Sequence, residues 1–126
     1  MFWKKEEAPY EPIVQVQKKF VPALYICGMN TPECTQLLID KETFTIGSGR
    51  DNDGVLEFPG LGLSRQHCRI ECGDDGYTLT DLKSTNGTYV NGKRLLPGVE
   101  TSIKSGDQIR LGMSVFTVEE IIQEDI

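Results

Sequence analysis

The chain has no apolar run approaching the ~20 residues that a membrane-spanning helix needs. Its start, Met1-Phe2-Trp3-Lys4-Lys5-Glu6-Glu7, lacks the apolar stretch of a secretory signal. No membrane insertion of this segment and a cytoplasmic setting are therefore expected, although a piece of a larger membrane protein would read the same way. Basic excess is missing too, with 13 Lys and Arg against 19 Asp and Glu and a net charge of −6. That charge divides into −4 over the last eight residues, +1 over the first twenty and −3 between them. Nucleic-acid affinity needs a basic face, so no nucleic-acid partner is expected. Histidine occurs once and no carboxylates pair up, which leaves an acid–base catalyst without its parts; no enzyme activity is expected.

Cysteine is sparse and poorly spaced for metal. A zinc site wants two matched pairs, and of Cys27, Cys34, Cys68 and Cys72 only the last two have a plausible spacing. Buried free thiols are the favoured reading in a reducing compartment. Asp51-Asn52-Asp53-Gly54 looks like part of a calcium loop, but Gly49 and Gly60 stand where carboxylates are needed. Gly47-Ser48-Gly49 lacks the third glycine and following helix of a dinucleotide loop. No cofactor and no metal are expected.

What the chain does have is short strands between turns. Residues 1–20 mix charges with Pro9 and Pro12 and read as a flexible leader or linker; residues 21–118 read as one folded domain; residues 119–126 read as an acidic tail. Within the domain, strand-like runs begin at Ala23, Gln36, Thr43, Val55, Cys68, Tyr77, Thr88, Lys93, Glu100, Gln108 and Ser114. Cys68, Ile70 and Cys72 alternate with Arg69 and Glu71, the mark of a half-buried strand. Asp74-Asp75-Gly76 and Asn91-Gly92 supply turn chemistry between runs. A turn every 6–12 residues with no sustained 3.6 period predicts an all-β, antiparallel β-sandwich.

Two polar inserts stand out ahead of strands. Gly62-Leu63-Ser64-Arg65-Gln66-His67 and Ser84-Thr85-Asn86-Gly87-Thr88 offer hydroxyl, amide and guanidinium groups suited to an anion. Taken singly, Ser64 and Asn86 read as ordinary turn residues. His67 beside Ser64 suggests a base and a nucleophile, but a spacing of three at a loop-to-strand junction gives that pair no support.

In order and spacing, Ile46-Gly47, Ser64-Arg65-Gln66-His67, Asp81-Leu82, Ser84-Thr85-Asn86-Gly87-Thr88, Val90-Asn91-Gly92 and Gly106-Asp107 resemble a forkhead-associated (FHA) domain from about Ala23 to Val118. The resemblance implies a sandwich of about eleven strands whose loops at one end bind phosphothreonine peptides. It implies that the Ser64 hydroxyl and Arg65 contact the phosphate, that Thr85 and Asn86 hold the peptide main chain and the threonine methyl, and that Ser84 braces or joins that contact. His67, Gly47, Gly87 and Asn91 would be structural at the site. One departure matters, because the family's Gly-Arg at the end of the third strand is replaced here. Keeping Ile46-Gly47 in register puts Ser48 at the arginine position; pairing Gly49 with Arg50 restores the arginine but shifts the strand. Both Ser48 and Arg50 stay candidates for the phosphate. The expected partner is a phosphothreonine-containing protein made by an upstream Ser/Thr kinase, and the alternative is a phosphorylation-independent scaffold inside a larger protein.

Overall fold

A computed structural model describes residues 20–122. Eleven strands follow one another: β1 (Leu24–Gly28), β2 (Gln36–Ile39), β3 (Thr43–Gly47), β4 (Gly54–Val55), β5 (Cys68–Gly73), β6 (Gly76–Asp81), β7 (Thr88–Val90), β8 (Lys93–Arg94), β9 (Thr101–Ile103), β10 (Gln108–Leu111) and β11 (Ser114–Glu120). One short 3-10 turn, Pro32–Cys34, joins β1 to β2. The strands form a six-stranded sheet in the order β2-β1-β11-β10-β7-β8 and a five-stranded sheet in the order β4-β3-β5-β6-β9. This is the sandwich that the alternating pattern demands.

Period-2 alternation sends one set of side chains inward from each sheet. From the six-stranded sheet, Leu24, Ile26, Ile109, Leu111, Phe116 and Val118 are fully buried. Phe44, Ile46, Cys68, Ile70 and Leu79 meet them from the other sheet. Cross-strand register fixes which residues share a layer, as Ile70 faces both Phe44 and Leu79 across its two neighbours. Burial of these side chains stabilises the fold by about 25 cal/mol per Å² of apolar surface removed from water. The β7–β8 hairpin closes on Asn91 and Gly92 at φ of 50° and 85°. Two positive φ values in succession are what a tight hairpin turn of this hand requires.

Two details of the sheets differ from the sequence reading. The sandwich is not wholly antiparallel: β3 and the edge strand β4 run parallel over Ile46↔Gly54 and Gly47↔Val55. The loop 48–53 is far too short for a full crossover, so only a two-residue contact fits. At the far end, β11 passes the expected boundary at Val118, since Glu119 pairs with Tyr25 and Glu120 with Leu24. The Ile121 N–H then donates to the Ala23 carbonyl at 2.8 Å. An acidic residue is no obstacle there, because both glutamates keep their carboxylates off the core. The expected leader lies outside the described residues except for Phe20, as do residues 123–126 of the tail.

The cysteines are all free, but only Cys68 is buried; Cys27 and Cys72 are half-buried and Cys34 is exposed. Cys34 sits in the turn after β1, outside any strand, so no sheet face covers it. Burial pushes the Cys68 thiol well up from its ordinary range. The Cys72 thiol is raised as well, by burial and then by the Glu42 carboxylate.

Candidate functional site

Buried polar groups cost free energy unless they are hydrogen-bonded, so where they collect shows where the fold has committed itself. Of the eight buried polar or charged side chains among the described residues, five (Asn52, His67, Asp81, Ser84 and Thr88) lie at one end of the sandwich. They underlie the loops 48–53, 56–67 and 82–87, which carry the two polar inserts.

The first tie continues a sheet ladder past its last strand residue. The His67 N–H donates to Ile46 O at 2.9 Å, Ser48 N–H to Ser64 O at 3.0 Å and Gly49 N–H to Arg65 O at 3.0 Å. Loop 48–53 is thereby laid along the Ser64 insert. Asn52 locks the two together, its amide donating to Gly49 O at 2.8 Å and to Arg65 O at 2.7 Å. Gly47 is the hinge of this contact, because a Cβ there would stand 2.2 Å from the Arg65 carbonyl oxygen.

The second tie runs through histidine. The Ser64 N–H donates to His67 Nδ1 at 3.0 Å, and His67 Nε2 donates to Gly87 O at 2.9 Å. Accepting at Nδ1 requires the neutral ring with its proton on Nε2. Burial lowers the His67 pKa from its ordinary value, outweighing the Gly87 carbonyl and the Asp81 carboxylate that oppose it. His67 and Ser64 do meet, then, but through the serine's backbone. The hydroxyl is not activated by the ring, and the pair is a brace.

The third tie is a carboxylate under loop 82–87. Asp81 Oδ1 accepts from the hydroxyls of Ser84 and Thr88, and its Oδ2 accepts from the Ser84 N–H at 3.2 Å. Ser84 Oγ in turn accepts from the Gly87 N–H at 3.0 Å. Ser84 is 8% exposed with both roles of its hydroxyl taken. It holds the loop from below and does not face solvent as a peptide contact would.

On this frame the outward groups converge. The Thr85 N–H donates to Ser64 Oγ at 2.9 Å, and the Asn86 amide donates to Gly62 O at 3.0 Å. Arg65 is exposed and in no ion pair among the described residues; its stem lies over Gly49. Ser48 is half-buried beside a shallow cleft lined by Glu57, Phe58, Pro59, Gly60, Gly62 and Leu63. Arg50 points to solvent and pairs with Glu57 at 3.3 Å, its side chain 86% exposed. The structure therefore brings Ser48, Ser64, Arg65, Thr85 and Asn86 to one surface and leaves Arg50 at its edge on a carboxylate.

Asn91 is the turn residue that the sequence reading makes it, at φ of 50°. It stands at the far end of β7, where its amide donates to Asp107 at 3.1 Å and its carbonyl accepts from the Gln108 N–H at 2.9 Å. Its role is to close the β7–β8 turn onto β10, away from the loops. Asp53 likewise has a local use, accepting from Lys41 at 2.7 Å and from the Thr45 N–H at 2.9 Å. Those contacts, the Lys41 bond foremost, hold its pKa below the usual carboxylate range. Sequence reasoning missed Asn52, and it missed Lys83, an exposed cation at φ of 61° directly before Ser84. The position of Lys83 beside the Ser84-Thr85-Asn86 insert was a usable signal; nothing in the sequence singled out Asn52.

Comparison with known proteins gives this fold its family. The family model for the FHA domain covers residues 44–112, from β3 to the end of β10. The chain belongs to the FHA domain family. Among its relatives is the FHA domain-containing protein FhaA of Mycobacterium tuberculosis, 41% identical over 70 residues, which are 56% of this chain and 13% of FhaA. The chain thus spans a small part of that relative's length. The crystal structure of the FhaA FHA domain complexed with the intracellular domain of Rv3910 has a TM-score of 0.65 at 31% identity, covering 76% of this chain and 99% of that one. A structure from a study of phosphothreonine-dependent FHA domain interactions has a TM-score of 0.67 at 29% identity, covering 82% of this chain and 99% of that one. Among the described residues no helix of this FHA domain is long and apolar enough to cross a membrane.

Proposed function

We propose that this FHA domain binds phosphothreonine peptides through Ser64, Arg65, Thr85 and Asn86, and so joins proteins downstream of a Ser/Thr kinase. The observation that carries the reading is the 2.9 Å bond from the Thr85 N–H to Ser64 Oγ. A serine hydroxyl has one donor and two acceptor lone pairs. With one lone pair taken by Thr85, the O–H is left to donate to a ligand, next in the chain to the exposed Arg65. A phosphate dianion offers three acceptor oxygens and prefers charge-assisted donors, and this surface presents both kinds. Asn86, anchored on Gly62, stands ready for the peptide main chain. The phosphothreonine-dependent FHA interactions of a structural relative support the same assignment. His67 has no place in a reaction here, being buried, neutral and bonded at both nitrogens.

Few contacts with a short peptide imply an affinity of roughly micromolar strength. Titration of a degenerate phosphothreonine peptide library against wild type, Ser64→Ala, Arg65→Ala and Arg50→Ala tests the proposal. Binding that needs phosphothreonine over unphosphorylated and phosphoserine controls, and that falls at least about tenfold in Ser64→Ala and Arg65→Ala, is expected. Equal binding of phosphorylated and unphosphorylated peptides would overturn it. A second reading, a phosphorylation-independent scaffold, is favoured by one observation: Arg50, one of the two candidates for the family's phosphate-binding position, is held by Glu57.

A further inference from the structure

We infer that the outer face of the six-stranded sheet carries a second anion subsite, built by Arg94, Tyr89 and Arg110, which takes a carboxylate side chain flanking the phosphothreonine of the same ligand. The inference rests on the phosphopeptide reading above and adds the ligand's charge pattern to it. Register places the residues in one cross-strand row, since Tyr89 pairs with Arg94 on β8 and with Arg110 on β10. Val115 on β11 ends that row opposite Arg110. The Arg110 guanidinium lies 3.7 Å from the centroid of the Tyr89 ring and the Arg94 guanidinium 5.9 Å from it. Each guanidinium is attracted to the ring's π-electrons, and two cations gathered at one aromatic residue favour an anionic neighbour.

The row has no carboxylate to neutralise it among the described residues, as neither arginine appears in an ion pair. Four residues beyond Val115 on β11, Glu119 pairs with Tyr25. At about 3.3 Å per strand residue it lies roughly 13 Å down the sheet, too far to serve. A pair of uncompensated guanidiniums on a chain of net charge −6 is a local exception to its charge. It is therefore a place for an acidic partner rather than a solvated surface average.

Continuity with the candidate site gives the occupant. Arg94 Nε lies 2.8 Å from where a Cβ of Gly87 would be. Gly87 directly follows Asn86, and its carbonyl is the one held by His67. Arg110 leans to the same end, its guanidinium donating to Gly112 O at 2.7 Å while the Gly112 N–H donates to Gly87 O at 2.9 Å. An extended peptide seated on Asn86 reaches the row within a few residues. Planar guanidiniums take carboxylates in paired hydrogen bonds, which suits an Asp or Glu there.

The test is fluorescence anisotropy with phosphothreonine peptides carrying Glu or phosphoserine at successive flanking positions, each matched to its Gln isostere and to an unphosphorylated control, on wild type and Arg94→Gln. Arg110→Gln is a second variant, with thermal unfolding run on both to show that they fold. Wild type is expected to prefer one Glu peptide over its Gln isostere by about 3- to 10-fold. In Arg94→Gln that preference disappears, while the Gln peptide binds within about twofold of wild type. Indifference of wild type to every Glu, or an equal loss on the Glu and Gln peptides, overturns the subsite. A preference met only by a second phosphate overturns the carboxylate assignment. Failure of the Gln peptide to show any dependence on phosphothreonine is a separate outcome: it removes the parent reading, and the subsite with it.

Discussion

His67 Nε2 stands 2.9 Å from the carbonyl oxygen of Gly87, twenty residues further along the chain. One buried ring thus spans the two inserts, because its Nδ1 accepts from Ser64 at 3.0 Å. Protonation would turn Nδ1 into a donor facing another donor and would break the span.

The sign of the pH dependence follows. Burial lowers the folded-state pKa of His67 below its ordinary 6.5, so below that pH the unfolded chain binds more protons than the folded one. The contribution is complete above pH 6.5 and is lost as the pH falls toward the folded pKa. Urea unfolding at a series of pH values should show stability declining below about 6.5. His67→Gln should cost about 1–3 kcal/mol at neutral pH and flatten that decline. A wild-type profile level between pH 7 and 5, or an equal slope in the variant, would remove histidine from the brace.

The Asp81 carboxylate makes a second prediction. It accepts from Ser84 and Thr88 in a buried site. Asp81→Ala strands several donors at once and should cost about 3 kcal/mol, whereas Ser84→Ala should cost about 1–2 kcal/mol. Equilibrium denaturation gives both numbers. A neutral Asp81→Ala would mean that the loop is held by backbone contacts alone.

The fold was written plainly in the chain because alternation and turn residues are local. Each of the eleven strand-like runs, from Ala23 to Ser114, contains or adjoins an observed strand. That Ser64 and Thr85 would meet was also legible, since the spacing of the two inserts carries the family pattern. Direction was not. Ser84 and Asn86 are both polar loop residues, yet one faces inward to Asp81 and the other outward over Gly62. Composition cannot separate them, because the difference lies in a partner several residues or a whole loop away. Asn91 was legible as a turn residue; that its turn lies at the opposite end of β7 from the loops was not. Cys34 was expected inside, and the 3-10 turn that exposes it has no strong sequence mark.

Thiol reactivity should follow burial. Cys34 is exposed on a turn, while Cys68 is buried and its thiol strongly disfavoured from ionising. The thiolate is the reactive form. Brief alkylation of the native protein followed by peptide mapping should label Cys34 first and leave Cys68 untouched until denaturant is added. Early labelling of Cys68 would show that β5 opens under native conditions.

The Arg50–Glu57 pair decides how the missing Gly-Arg element is made good. The two side chains are 86% and 56% exposed and 3.3 Å apart. A pair so open to water contributes at most about 1 kcal/mol, so a phosphate dianion nearby can compete for the guanidinium. Glu57→Gln removes the competitor without removing the cation. If Arg50 turns to the phosphate, this variant should bind a phosphothreonine peptide about 2- to 5-fold more tightly than wild type. Stability should stay within about 0.5 kcal/mol. The gain should vanish when Arg50→Ala is added, since no cation is then left to release. Unchanged affinity in Glu57→Gln, with Arg50→Ala equally silent, would make Arg50 a surface charge. The phosphate would then rest on Ser64 and Arg65, with Ser48 supplying at most a hydroxyl where the family supplies a guanidinium.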